Sequence, residues 1–158
     1  MRLLAADPRV VFIGQNVAYP GNAIFDSLDG VPMNQRIELP VIEETQMGMA
    51  IGLALMGYIP VSIYPRMDFL LLCMNQLINH LDKIPLMSGY NPKVIIRAKV
   101  GARTPLDAGP QHTQDHTEAL RGMLTTVRVV KLTDLSQASK VYREAMEADV
   151  STLVVEVW

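Results

Sequence analysis

Six short runs rich in β-branched and apolar residues recur along this chain, at residues 9–14, 35–39, 59–64, 93–98, 127–132 and 152–157. Most of them carry apolar residues on both faces rather than at every second residue, the pattern of a strand buried on both sides, and 35–39 is the most polar of the six. Between most of them lie segments of helical character, at residues 23–28, 43–56, 68–84, 112–121 and 135–146. In residues 43–56 the apolar side chains Met47, Ala50, Ile51, Ala54 and Leu55 fall at three- and four-residue spacing, with Gly57 placed as a C-terminal cap. Asp68 is an N-cap candidate for the long helix at 68–84, and Pro85 is expected to stop it.

Doubly buried strands alternating with helices predict an α/β fold, a three-layer sandwich whose mainly parallel sheet is covered on both sides. The 158 residues suit one domain spanning 1–158, and neither repeat nor linker interrupts them. In such sheets ligands bind beyond the carboxyl ends of the strands. Chemistry is therefore to be sought just after Gly14, Leu39, Tyr64 and Val100.

Composition removes several alternatives. A net charge of -2 leaves no basic stripe for nucleic acid or an anionic membrane. No apolar stretch approaches the ~18 residues that span a bilayer, and the first residues lack a signal peptide's apolar core, so a cytoplasmic chain is expected. The single cysteine, Cys73, lies in an apolar run and is expected to be buried and unreactive. Ten methionines and a mean hydropathy of +0.19 point to a methionine-rich core together with a face buried against another chain.

Glu43 and Glu44 open a helix otherwise lined with small and apolar residues. A helix dipole favours acidic residues there. A carboxylate facing the ligand end of the sheet in apolar surroundings could instead exchange a proton near neutral pH. His112 and His116 stand four apart in Gln111-His112-Thr113-Gln114-Asp115-His116, a metal spacing if helical, but no third ligand is evident and a solvated polar segment is the simpler reading. Phe69 reads as core. Gly101 and Gly109 flank Pro105 and Asp107 in a shaped loop. Neither a Rossmann glycine fingerprint, a P-loop nor a hydrolase elbow occurs.

Four ordered blocks resemble the beta subunits of thiamine-dependent 2-oxoacid dehydrogenases and, more distantly, the middle domain of transketolase. They are Val11-Phe12-Ile13-Gly14-Gln15-Asn16-Val17; Arg36 to Glu43 with Gly48 and Gly52; Pro60 through Asp68-Phe69 to Gly89; and Gln111-His112-Thr113-Gln114. The resemblance implies a thiamine-diphosphate-binding fold and a pyrimidine-binding domain. Glu43 would bond a ring nitrogen of the cofactor's aminopyrimidine, Phe69 would stack on it, and Gln15 would lie beside it. His112 would face the substrate; His116 has no counterpart. The family's acidic pair after the first glycine is Gln15-Asn16 here, and its Gly-Asp-Gly diphosphate motif is missing. No metal site is therefore expected in this chain. The implied partner is a second, diphosphate-binding subunit that holds magnesium, in a heterotetramer acting on a small 2-oxoacid or ketose. A split-type 2-oxoacid decarboxylase and a catalytically idle assembly domain are the alternative readings.

Overall fold

The computed structural model describes residues 1–105 and 107–157; Leu106, in the 101–110 loop, and Trp158, at the end of the expected domain, lie outside the described residues. The sheet contains β1 (Val10–Gly14), β2 (Arg36–Glu38), β3 (Ile59–Tyr64), β4 (Ile95–Lys99), β5 (Arg128–Leu132) and β6 (Thr152–Glu156). Their order is β2-β1-β3-β4-β6-β5, and every neighbouring pair runs parallel. All six expected strands form; the inner strands β1, β3, β4 and β6 have a core on either side, while the edge strands β2 and β5 are only partly covered. The strand order first reverses between β1 and β3, which opens a crevice at their carboxyl ends.

One core lies under α2 (Glu43–Leu55), α3 (Met67–Leu70) with the run that follows it, and α5 (Thr117–Met123); it takes Ile13, Tyr64, Ile96 and Val155 from the sheet. The other takes Phe12, Ile63, Ile95 and Val154, and is closed by the 3-10 turn Leu4–Ala6 and α6 (Ala138–Glu147). Two short helices complete the chain, α1 (Ala23–Ser27) and α4 (Ile84–Ser88). No helix among the described residues is long and apolar enough to cross a membrane.

Several helical expectations are corrected. The stripe on α2 is Met47, Ala50, Ile51 and Ala54, whereas Leu55 is 49% exposed: about 100° round the helix from Ala54, it falls on the side of the exposed Glu44. Gly57 does follow the helix with φ +89, a conformation glycine adopts without strain. The segment 68–84 is not one regular helix. It passes from α3 through the 3-10 turn Leu71–Cys73 into a π-helix at Asn75–Leu81. Pro85 opens α4 instead of stopping a helix, since a first-turn residue has no N–H bond to lose. The methionines divide: Met47 and Met67 are fully buried, while Met56 and Met87 are 78% and 70% exposed.

The exit of the π-helix is tied to the start of β5 by Asp82, whose side chain is fully buried. Its carboxylate accepts from the backbone N–H of Thr125, Thr126 and Val127 at 2.9, 2.7 and 2.9 Å, from the Thr125 hydroxyl at 2.8 Å, and from Lys83 Nζ at 2.7 Å. Burial alone would raise its pKa; the Lys83 ammonium and these N–H and O–H donors outweigh that and hold it well below the usual carboxylate range. A depressed folded-state pKa contributes stability above the unfolded value of about 3.9, lost as pH falls towards the folded value. Asp82→Ala leaves three backbone N–H groups without this acceptor, the buried one of Val127 among them, and is expected to cost about 3 kcal/mol at pH 7, or about 6–12 °C in melting temperature. The gap between variant and wild type should narrow in melts at pH 3; an equal gap at both pH values would contradict this account.

Candidate active site at the carboxyl ends of β1 and β3

The crevice is built on the first two turns of α2. Ile42 caps the helix with no side-chain bond, and Glu43 and Glu44 both lie in its first turn. Helix register separates them. Glu43 shares the buried stripe with Gln46, Met47 and Ala50 and is 5% exposed, whereas Glu44 is exposed. The helix dipole accounts for Glu44; burial of a carboxylate is costly and needs a further reason at Glu43.

One turn on, Gln46 is 1% exposed and sends Nε2 to Ile63 O at 3.0 Å, Ser62 Oγ at 3.1 Å and Ile13 O at 3.4 Å. These acceptors cap the ends of β3 and β1, so the amide pins the helix start to the crevice. The fit depends on Gly14, where a Cβ would lie 2.6 Å from Ile63 O and 3.3 Å from Gln46 Nε2. Beneath lie Tyr64 and Cys73. Burial pushes the Tyr64 hydroxyl well up and the Cys73 thiol up to about 12, and the nearby Glu43 carboxylate adds to both shifts. Cys73 is thus buried and protonated, as its apolar run predicts.

Gln15 leaves β1 and donates from Nε2 to Glu43 Oε1 at 3.2 Å. Its turn is held by Glu38, a residue that sequence reasoning overlooked. The Glu38 carboxylate accepts from Asn16 N and Ala18 N, each at 2.7 Å. Asn16 takes φ +62, which asparagine tolerates better than most side chains. The available signal was an acidic residue at the end of an edge strand, beside a glycine turn.

A second group stands after β3. Phe69 is half-buried, not core, and meets His112 edge to face at a centroid separation of 5.4 Å and 88°. Asp68 does not cap α3, which begins one residue earlier; its Oδ1 accepts instead from Gln114 N and Nε2, at 3.3 and 2.9 Å. The helix expected at 112–121 starts only at Thr117. Asp115 takes Thr117 N at 3.0 Å and Lys131 Nζ at 2.7 Å, which turns the chain before the helix. His112 and His116 therefore share no helical face. Among the described residues no three His, Cys, Asp or Glu side chains gather as metal ligands.

Residues 1–156 match the family described as transketolase, pyrimidine binding domain. The chain is 27% identical over 140 residues to the pyruvate dehydrogenase E1 component subunit beta of Cyanidium caldarium, a match covering 85% of this chain and 41% of that protein. In fold it is similar to the transketolase of Campylobacter jejuni (TM-score 0.72, 14% identity, 98% of this chain and 23% of the other). It is also similar to a split-gene transketolase described as an inactive beta4 tetramer (TM-score 0.64, 18% identity, 95% and 45%). The chain thus spans about two fifths of the curated relative's length.

The close approach at Gly14 yields a direct test. Gly14→Ala is expected to lower stability by about 2 kcal/mol, because the backbone carbonyl of Ile63 must give way. Gly52→Ala, whose Cβ meets nothing within 4 Å, should be neutral or gain up to about 1 kcal/mol in helix propensity. Urea melts of the two variants should separate in that order.

Proposed function

Because the chain belongs to the family of transketolase pyrimidine-binding domains, we propose that it supplies the aminopyrimidine-binding half of a thiamine-diphosphate enzyme. The observation that carries this reading is Glu43: a carboxylate 5% exposed, at the crevice where the strand order reverses, with Gln15 as its one hydrogen-bonding side chain among the described residues. Gln15 holds Oε1 and leaves Oε2 to accept from a ring N–H. The donor set fits the pyrimidine end of the cofactor: one dry carboxylate, and one half-buried aromatic ring, Phe69, to lie against the pyrimidine.

Thiamine diphosphate held there would supply the carbanion chemistry for cleaving a bond beside a carbonyl. Glu43 shares a proton with the pyrimidine's ring nitrogen. His112, held against Phe69, faces the substrate and moves a proton there or meets its carboxylate. Gln15 stands where the family carries an acidic residue. As an N–H donor to Glu43 it orients the carboxylate, where a second acid would repel it.

The diphosphate and its magnesium ion fall to a second subunit. The apolar side chains left exposed on α2 and beyond (Leu55, Met56, Leu72, Leu86 and Met87) support a surface covered by another chain. The proposed assembly is two copies of each subunit, acting on a 2-oxoacid or a ketose.

Glu43→Gln is expected to lower turnover by the assembled pair about 10²–10⁴-fold, as loss of a proton-transfer group does. Assembly itself should survive. Calorimetry with thiamine diphosphate and magnesium should show binding by the pair and not by this chain alone. Unchanged turnover in Glu43→Gln would leave the chain as an assembly domain.

A further inference from the structure

Asp68 is 8% exposed, in the first turn of α3, one residue from Phe69. Its carboxylate is used unevenly. Oδ1 accepts from Gln114 N at 3.3 Å and from Gln114 Nε2 at 2.9 Å, whereas Oδ2 is buried with no partner. A buried, half-satisfied carboxylate is a poor device for stability, since an apolar side chain of similar shape avoids the desolvation cost. What it does achieve is local: it fixes the backbone two residues beyond His112 to the residue next to Phe69.

The rest of the segment is anchored on either side. His112 N donates to Gly109 O at 3.0 Å, and the Thr113 hydroxyl donates to the same oxygen at 3.1 Å. Gly101 lies so close that a Cβ on it would fall 1.8 Å from His112 O. His116 N reaches Met67 Sδ at 3.3 Å. Of these ties, only those to Asp68 and Met67 reach α3, and Asp68 supplies the sole charged acceptor among them.

We propose that Asp68 is a positioning residue that latches the His112 segment onto α3 and so sets the imidazole against Phe69. The step from geometry to catalysis rests on the roles given above to Phe69 and His112. A displaced His112 loses rate through misplacement of the proton-transfer group, with little change in substrate binding.

The test compares Asp68→Ala, Asp68→Asn and Gln114→Ala in the full chain. Nuclear Overhauser contacts between the Phe69 and His112 ring protons should be strong in wild type and Asp68→Asn, which retains Oδ1, weakened in Gln114→Ala, and lost in Asp68→Ala. In the assembled enzyme, Asp68→Ala should lower kcat at least tenfold with KM nearly unchanged. Asp68→Ala/His112→Ala should be no slower than His112→Ala, because a latch acting through His112 has nothing left to hold. Persistence of the ring contact in Asp68→Ala, or an equal rate loss with and without His112, overturns the proposal. Gln114 is exposed, so its variant folds even if Asp68→Ala does not, and an undiminished ring contact there also overturns it. The ring contact needs no cofactor, so it decides the latch even for a chain without thiamine-dependent turnover, a result that would count against the proposed function instead.

Discussion

A parallel sheet ends in carbonyls that no further residue of the ladder can satisfy, and the amide of Gln46 takes over that task for β1 and β3. Much of the crevice depends on this one side chain. Gly14 leaves the room it works in: a Cβ there would lie 2.6 Å from the Ile63 carbonyl that Gln46 bonds and crowd the amide itself at 3.3 Å. Once Gln46 reaches both strands, the first turn of α2 is fixed over the strand ends and Glu43 is carried into the dry interior with it. Glu44, rotated by about 100° on the same turn, remains in solvent and needs no such support. The placement of the carboxylate is therefore set by main-chain hydrogen bonding, before any ligand contributes.

The opposite face is anchored at the same end of the sheet by a buried charge network. Arg97 on β4 makes a two-point contact with Glu156 on β6, through Nε at 2.9 Å and Nη2 at 3.1 Å, and reaches the Ser27 hydroxyl on α1 at 2.7 Å. Tyr142 on α6 adds a 2.7 Å bond to the same glutamate. Burial, then the Glu156 charge, raises the Tyr142 pKa, so the phenol stays a donor. A buried pair of this kind adds little net stability, but leaving either charge alone would be costly. Its effect is to specify one arrangement of α1, α6 and two strands.

The inner strands were legible because they are apolar on both faces, as a covered parallel sheet requires, whereas the edge strands β2 and β5 carried a weaker signal. The buried face of α2 was legible for a related reason, since Met47, Ala50, Ile51 and Ala54 follow one helical stripe. Periodicity gave no access to backbone geometry that departs from 3.6 residues per turn. The π-helix at Asn75–Leu81 has the same apolar composition as the regular helix expected there. Asp68 and Asp115 were misread or missed for another reason. Each is an acidic residue beside a helix start, and sequence alone cannot tell whether such a carboxylate bonds its own helix or a segment dozens of residues away. Asp68 bonds Gln114; Asp115 bonds both its own turn and Lys131. Gln15 and Glu43 were brought together by the resemblance, and Glu38 was overlooked because its role lies in two backbone N–H groups rather than in a motif.

The division of the site between two chains proposed above would suit the chemistry proposed for it. Proton exchange between a carboxylate and a heterocycle works best where water is excluded, which is what the apolar wall under Glu43 provides. A diphosphate with its divalent cation needs the opposite: several charged oxygen ligands and polar donors in one place. No metal-binding cluster occurs among the described residues, and Glu43 sits above a buried phenol and a protonated thiol. Placing a cation's acidic ligands in this crevice would set like charges against Glu43 and let water in. In the proposed assembly, separate surfaces would let each environment retain its own dielectric until the two chains meet.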